Sequence, residues 1–185
     1  MADQNPPVSR AGANKLSKFA IAMIVFAISG ALCIPCTGIL AAVAIPGFIG
    51  YVRRSKTVEA TANLESIRVG IEVYAMEERV GATGQVVHGL PESLPATPSV
   101  EGVGAMKQLW PSDANPGWAA IGFQPSEPLY YSYSVTTDSL ANTVVIEAVG
   151  DLDDDDENSI FSQTGHINAE GEIEWSPRVV MNELE

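Results

Sequence analysis

Apolar and polar positions fall into three regimes along the chain. From Phe19 to Val52 no residue is charged. That run exceeds the roughly 20 apolar residues a bilayer-spanning helix needs, and it predicts a membrane-inserted helix. Pro35 and Pro46 interrupt it and favour kinks. After Lys56 the pattern turns amphipathic. Ala60, Leu64, Ile67, Ile71 and Tyr74 recur at spacings of four and three, the signature of one helix face. Glu59, Glu65, Arg68, Glu72 and Glu78 lie off that stripe. Neither Pro nor Gly separates the stripe from the apolar run, so one helix is expected from about residue 17 to residue 80, ended by Gly81 and Gly84.

The third regime is β. In "PLYYSYSV", Tyr131, Tyr133 and Val135 alternate with Tyr130, Ser132 and Ser134. In "NTVVIEAVG", Val144, Ile146 and Ala148 oppose Val145, Glu147 and Val149. "HINAEGEIEW" has two alternating runs around Glu170-Gly171, a hairpin signal. The apolar faces need a partner, and the helix stripe offers one. The expected fold is therefore α+β: a long N-terminal helix with a membrane half and an amphipathic half, and a small antiparallel β-sheet packed on its distal half. The divisions are a polar leader (1–15), a transmembrane helix (16–52), its amphipathic continuation (53–80), a Gly/Pro-rich loop (81–117), the sheet (118–176) and a tail (177–185). A short helical turn is expected near Ala105–Leu109 within the loop, and an acidic loop (151–159) within the sheet.

Charge sharpens the division. All but one of the 23 acidic residues lie beyond Lys56, against Arg68, Arg79, Lys107 and Arg178. An acidic distal domain argues against nucleic-acid binding, which needs a basic face, and it allows cation binding. Arg53, Arg54 and Lys56 close the apolar run. They read either as a headgroup-level cluster or as contacts to acidic residues of a neighbouring subunit. The two cysteines, Cys33 and Cys36, form "CIPC" inside the apolar run with no His nearby, and read as small hydrophobes rather than a redox or zinc pair. His88 and His166 each stand alone, and no nucleophile elbow or P-loop is present, so no enzymatic activity is expected. Core packing is the expected role for two of Trp110, Trp118 and Trp175.

"GILAAVAIP" (Gly38 to Pro46), followed by "GFIGYVRRSKTVEATANLESI", resembles the N-terminal helix of type IV pilins and pseudopilins. The match covers roughly residues 38–67 and includes Gly38, Ile39, Leu40, Ile45 and Pro46. The acidic segment after a strand is similar to the sheet region of some pilin-like proteins. Ile24, Val25 and Ser29 stand where the family carries its cleavage-site glycine, its first mature residue and its assembly glutamate. The resemblance implies a structural subunit of a pilus or pseudopilus-type filament serving secretion, adhesion, motility or DNA uptake. Its implied partners are the membrane, other pilin-like subunits and an assembly machinery. The implied location is the bacterial inner membrane, crossed once, with a cytoplasmic N-terminus and a periplasmic C-terminal domain, or the cell surface once assembled. Two further readings stand beside it. One is a membrane-tethered, calcium-responsive binding module that never polymerises; the other is an exported protein cleaved after Ala42–Ala44.

"GDLDDDDENS" is the strongest chemical signal. Asp151, Asp153 and Asp155 fit the D-x-D-x-D opening of a calcium loop, with Glu157 offering a backbone carbonyl and Ser159 a further position. Asp156 occupies the position where such loops favour glycine, and Ser162 the position of the bidentate glutamate. A solvated acidic loop is the plain alternative, and Ca²⁺ is the expected cofactor of the other.

Overall fold

The computed structural model describes residues 17–80, 84, 86–87 and 89–184; the side chains of residues 31–36, Val80, Val86, Val87 and Gly102 fall outside the description. The leader, the Cys33 and Cys36 thiols and His88 therefore lie outside the described residues. The chain forms two compact units, Met1–Gly47 and Phe48–Glu185.

Helix α1 runs unbroken from Lys18 to Met76, through Pro46. In the first unit its large apolar side chains among the described residues are exposed, Phe19 at 75%, Phe26 at 79% and Val43 at 75% among them. Among the described residues no helix is long and apolar enough to cross a membrane. This corrects the expected transmembrane helix, and with it the single-pass inner-membrane location. The physical reason lies in the sequence of α1 after residue 36. There Thr37, Gly38, Pro46, Gly47 and Gly50 dilute the apolar side chains, and Arg53, Arg54 and Lys56 follow before that part alone reaches a bilayer's thickness.

In the second unit α1 buries the stripe read from its sequence: Ala60, Leu64, Ile67 and Ile71 are inaccessible, and Tyr74 packs at the edge of the same core. Each buried Leu or Ile contributes about 2 kcal/mol of hydrophobic free energy. After α1 come β1 (Arg79–Val80) and β2 (Val86–Val87), which pair antiparallel as a separate ribbon. The main sheet holds β3 (Leu94–Thr97), β4 (Ser132–Asp138), β5 (Thr143–Gly150), β6 (Ser159–Ile167), β7 (Ile173–Trp175) and β8 (Val179–Met181). Its order is β3-β4-β5-β6-β7, with β8 also on β6, and every pairing is antiparallel. Tyr133, Val135, Val144, Ile146, Ala148 and Phe161 meet the helix stripe in one core.

The sheet is six-stranded and large, not the small one expected. The added strands come from segments whose prolines read as loop. Pro95 sits within β3, an edge strand, where a missing N–H leaves no ladder bond unmade. Pro177 separates β7 from β8, and the two pair with opposite ends of β6: Gly165–Ile167 with β7, Ile160–Ser162 with β8. Trp175 covers Gly165, where an added Cβ would lie 2.8 Å from Ile173 Cγ2 and 3.0 Å from the indole.

The connection before β4 is not structureless. It carries a 3₁₀ turn at Val100–Gly102 and a short helix α2 at Gly117–Ala120, rather than a helical turn at Ala105–Leu109. Trp118 of α2 is buried, with Trp110 and Phe123 edge-on against it or tilted across it. Gly70 of α1 admits this layer. A Cβ there would lie 2.0 Å from the Ile121 carbonyl oxygen, so only glycine allows the helix this close.

Candidate functional site

The β5–β6 connection carries the acidic run, and its fold follows from one carboxylate. Asp151 directly follows β5 and is buried. Its Oδ1 accepts the N–H groups of Asp153 (3.2 Å), Asp154 (2.6 Å) and Asp155 (3.4 Å), and its Oδ2 that of Asp156 (3.0 Å). Burial pushes its pKa up, but the four backbone donors outweigh that effect and hold the carboxyl below its ordinary value. Asp151 is therefore ionised at neutral pH and winds the loop about itself. Leu152, buried beside it, anchors the loop in the core.

The winding brings ligand oxygens of Asp151, Asp153 and Asp155 within 4.8 Å of one another, so these three residues could hold a metal ion. Asp153 Oδ1 is buried and has no hydrogen-bond partner among the described residues, which leaves a lone pair for a cation. The remaining residues named from the sequence divide. Glu157 is exposed at the loop's far side, its N–H donated to Asp155 Oδ1 at 2.9 Å. Ser159 is fully buried; its hydroxyl meets the Tyr131 hydroxyl at 3.3 Å and donates to the Glu183 carbonyl at 3.2 Å, so it serves the core. Ser162 lies inside β6, paired with Glu147 and Val179, away from the loop.

Asp156 has a φ of 70°, and Asp154 one of 67°. The position where calcium loops favour glycine is thus left-handed here too, held by an aspartate, one of the few residues that tolerate it. Asp156→Gly should raise the unfolding free energy by about 0.5–1 kcal/mol in the absence of metal. Urea unfolding of the two proteins in chelator checks this, and an unchanged or lower midpoint would contradict it.

The cations after the apolar run are bound within the chain. Arg53 Nη2 pairs with Asp153 Oδ2, and its Nη1 donates to the Leu184 carbonyl at 3.0 Å. Lys56 donates to the Leu152 carbonyl at 3.0 Å and lies 4.6 Å from the centre of the Tyr130 ring. Two of the three bases expected to face a membrane or a neighbour therefore fasten the acidic loop to α1. Arg54 is exposed. A cation at the triad would compete with the Arg53 guanidinium for Asp153.

Elsewhere the expected residues are displayed rather than assembled. Ile24, Val25 and Ser29 are exposed on α1, as are Ile39, Leu40 and Ile45. A Cβ on Gly38 would meet nothing, and Pro46 lies on the same helix. His166 is exposed on β6 opposite Thr143 and Glu174. Trp175 donates its indole N–H to Glu72 at 2.9 Å, so all three tryptophans pack on or in the core.

One polar group escaped the sequence reading. Glu59 lies off the buried stripe and reads as solvent-facing. Instead it is half-buried and accepts the Tyr130 and Tyr131 N–H groups at 2.7 and 3.3 Å, with Lys107 Nζ 3.5 Å away. Its place next to Ala60, at the border of the stripe, was the available signal.

No family model, no curated protein and no solved structure matches this chain. The comparisons therefore lend no family support to the pilin resemblance or to calcium binding.

Proposed function

We propose that this protein is a non-enzymatic structural subunit that assembles with copies of itself into a filament through the N-terminal half of α1. The observation that carries this reading is the exposed apolar surface of that half. Phe19, Phe26, Leu40 and Val43 are all at least two-thirds exposed, while one face of the same helix's continuation is buried under a sheet. Contiguous apolar surface of this extent marks an interaction site. Packing copies of α1 side by side removes it from water, and a head-to-tail arrangement that does not close gives an open filament. The likeness of residues 38–67 to an assembly helix supports the same reading. Electron microscopy of the purified full chain tests it: filaments are expected, and dispersed single particles at all concentrations would contradict it.

A second reading is favoured by the aspartate triad: a cation-responsive binding module. Its cation is Ca²⁺, because a loop that gathers several carboxylates suits an ion that takes six to eight oxygen ligands. Mg²⁺ demands a rigid octahedron and keeps its water. Thermal unfolding in millimolar Ca²⁺, in Mg²⁺ and in chelator distinguishes these. The expected result is a midpoint raised by several degrees in Ca²⁺ alone. Equal midpoints in all three would remove the cation from the account.

A further inference from the structure

Glu59, Lys107 and Tyr130 form a cluster that the assembly reading does not use. Glu59 reaches from α1 to the start of β4, where Oε1 accepts two backbone N–H groups. Its Oε2 faces Lys107, which belongs to the segment between the 3₁₀ turn and the Gln108–Leu129 bridge. The Lys107 ammonium also lies 4.9 Å from the Tyr130 ring centre, on a ring that Lys56 approaches as well. Lys56 reaches back to the Ala105 carbonyl of the same segment at 3.5 Å. That segment walls a cleft of about 160 Å³, with Asp154 of the acidic loop on the other wall.

We propose that Glu59 is a pH-sensitive pin: its carboxylate holds residues 104–107 against α1 and β4 through Lys107, and its protonation frees that segment and opens the cleft beside Asp154. The Lys107 attraction exists only for the ionised form. The groups facing Glu59 are Lys107 from the segment, the Tyr130 and Tyr131 N–H groups, and the Tyr131 and Tyr133 phenols of β4 and its lead-in. Burial is the largest influence on Glu59; it raises the pKa above the ordinary 4.5, despite the Tyr130 N–H and Lys107. Protonation therefore sets in at a higher pH than for an exposed glutamate.

Tryptic cleavage of the full chain after Lys107 reads the state of the segment. Rates are divided by those of a free peptide spanning residues 104–111, which cancels the protease's own pH dependence. In the wild type the normalised rate should rise about fivefold between pH 7.5 and pH 5, the range expected for loss of a partly exposed ion pair. Glu59→Gln keeps an acceptor for the two N–H groups but not the charge. It should be cut at the faster rate at both pH values, with an unchanged circular dichroism spectrum showing an intact sheet. A wild-type rate that is flat or falls toward pH 5 would overturn the proposal. So would a Glu59→Gln protein that keeps the wild-type pH dependence.

Discussion

Trp118→Ala is expected to lower the unfolding free energy by about 4 kcal/mol. The indole is 1% exposed and lies where α2, the end of β3 and the Phe123 segment converge. Its ring centre is 5.5 Å from that of Trp110, nearly perpendicular, and 5.6 Å from that of Phe123. Its N–H donates to Thr97 Oγ1 at 3.1 Å. Truncation leaves a cavity that no nearby chain end can fill, and a threonine oxygen stripped of its buried donor. Trp118→Phe separates the two effects. It keeps most of the apolar contact and should lose about 1–2 kcal/mol, for the hydrogen bond and the smaller ring. Urea unfolding followed by far-UV circular dichroism measures both. A loss under about 1 kcal/mol for the alanine variant would contradict the placement of Trp118 at the centre of this layer.

The second large effect reverses the usual sign of a helix substitution. Glycine in a helix interior ordinarily costs about 1 kcal/mol relative to alanine, so Gly70→Ala would be expected to stabilise α1. Here the new methyl would sit 2.0 Å from the Ile121 carbonyl oxygen and 3.1 Å from its carbon, both backbone atoms that no rotamer change can move. Making room must separate α1 from the turn after α2. Overpacking of this kind costs about 3 kcal/mol, which leaves a net loss of about 2 kcal/mol. A calorimetric midpoint above that of the wild type would show that helix and turn are not in contact.

The stripe Ala60–Tyr74 and the strand faces at 131–135 and 144–148 were legible in the sequence, because burial on one face imposes a period of 3.6 or 2 that local reading detects. β3 and β8 were not. Their neighbours Pro95 and Pro177 signal loop locally, and only the long-range pairing of β3 with β4 and of β8 with β6 makes them strands. The span of the apolar run was misjudged from the absence of charge alone. After residue 36, glycine, threonine and proline lower its hydropathy without breaking the charge-free pattern.

At the acidic loop, the alternation of Asp151, Asp153 and Asp155 correctly indicated side chains that converge. The hub role of Asp151 was hidden, since it depends on backbone N–H groups that every residue carries. The Arg53–Asp153 pair joins residues 100 positions apart, and nothing in the local sequence of either predicts it. Ser159 fitted the spacing of a ligand, but its place as the first residue of β6, facing Tyr131, turned it into the core.

Sedimentation velocity of the full chain tests most directly whether the exposed apolar half of α1 is an assembly surface. The wild type should sediment as large species at micromolar concentration, and the double variant Leu40→Asp, Val43→Asp as a monomer. Both substitutions fall on exposed positions of the first unit, so the thermal midpoint of the second unit should not move. A wild type that stays monomeric, or a double variant that assembles as readily as the wild type, would contradict the account.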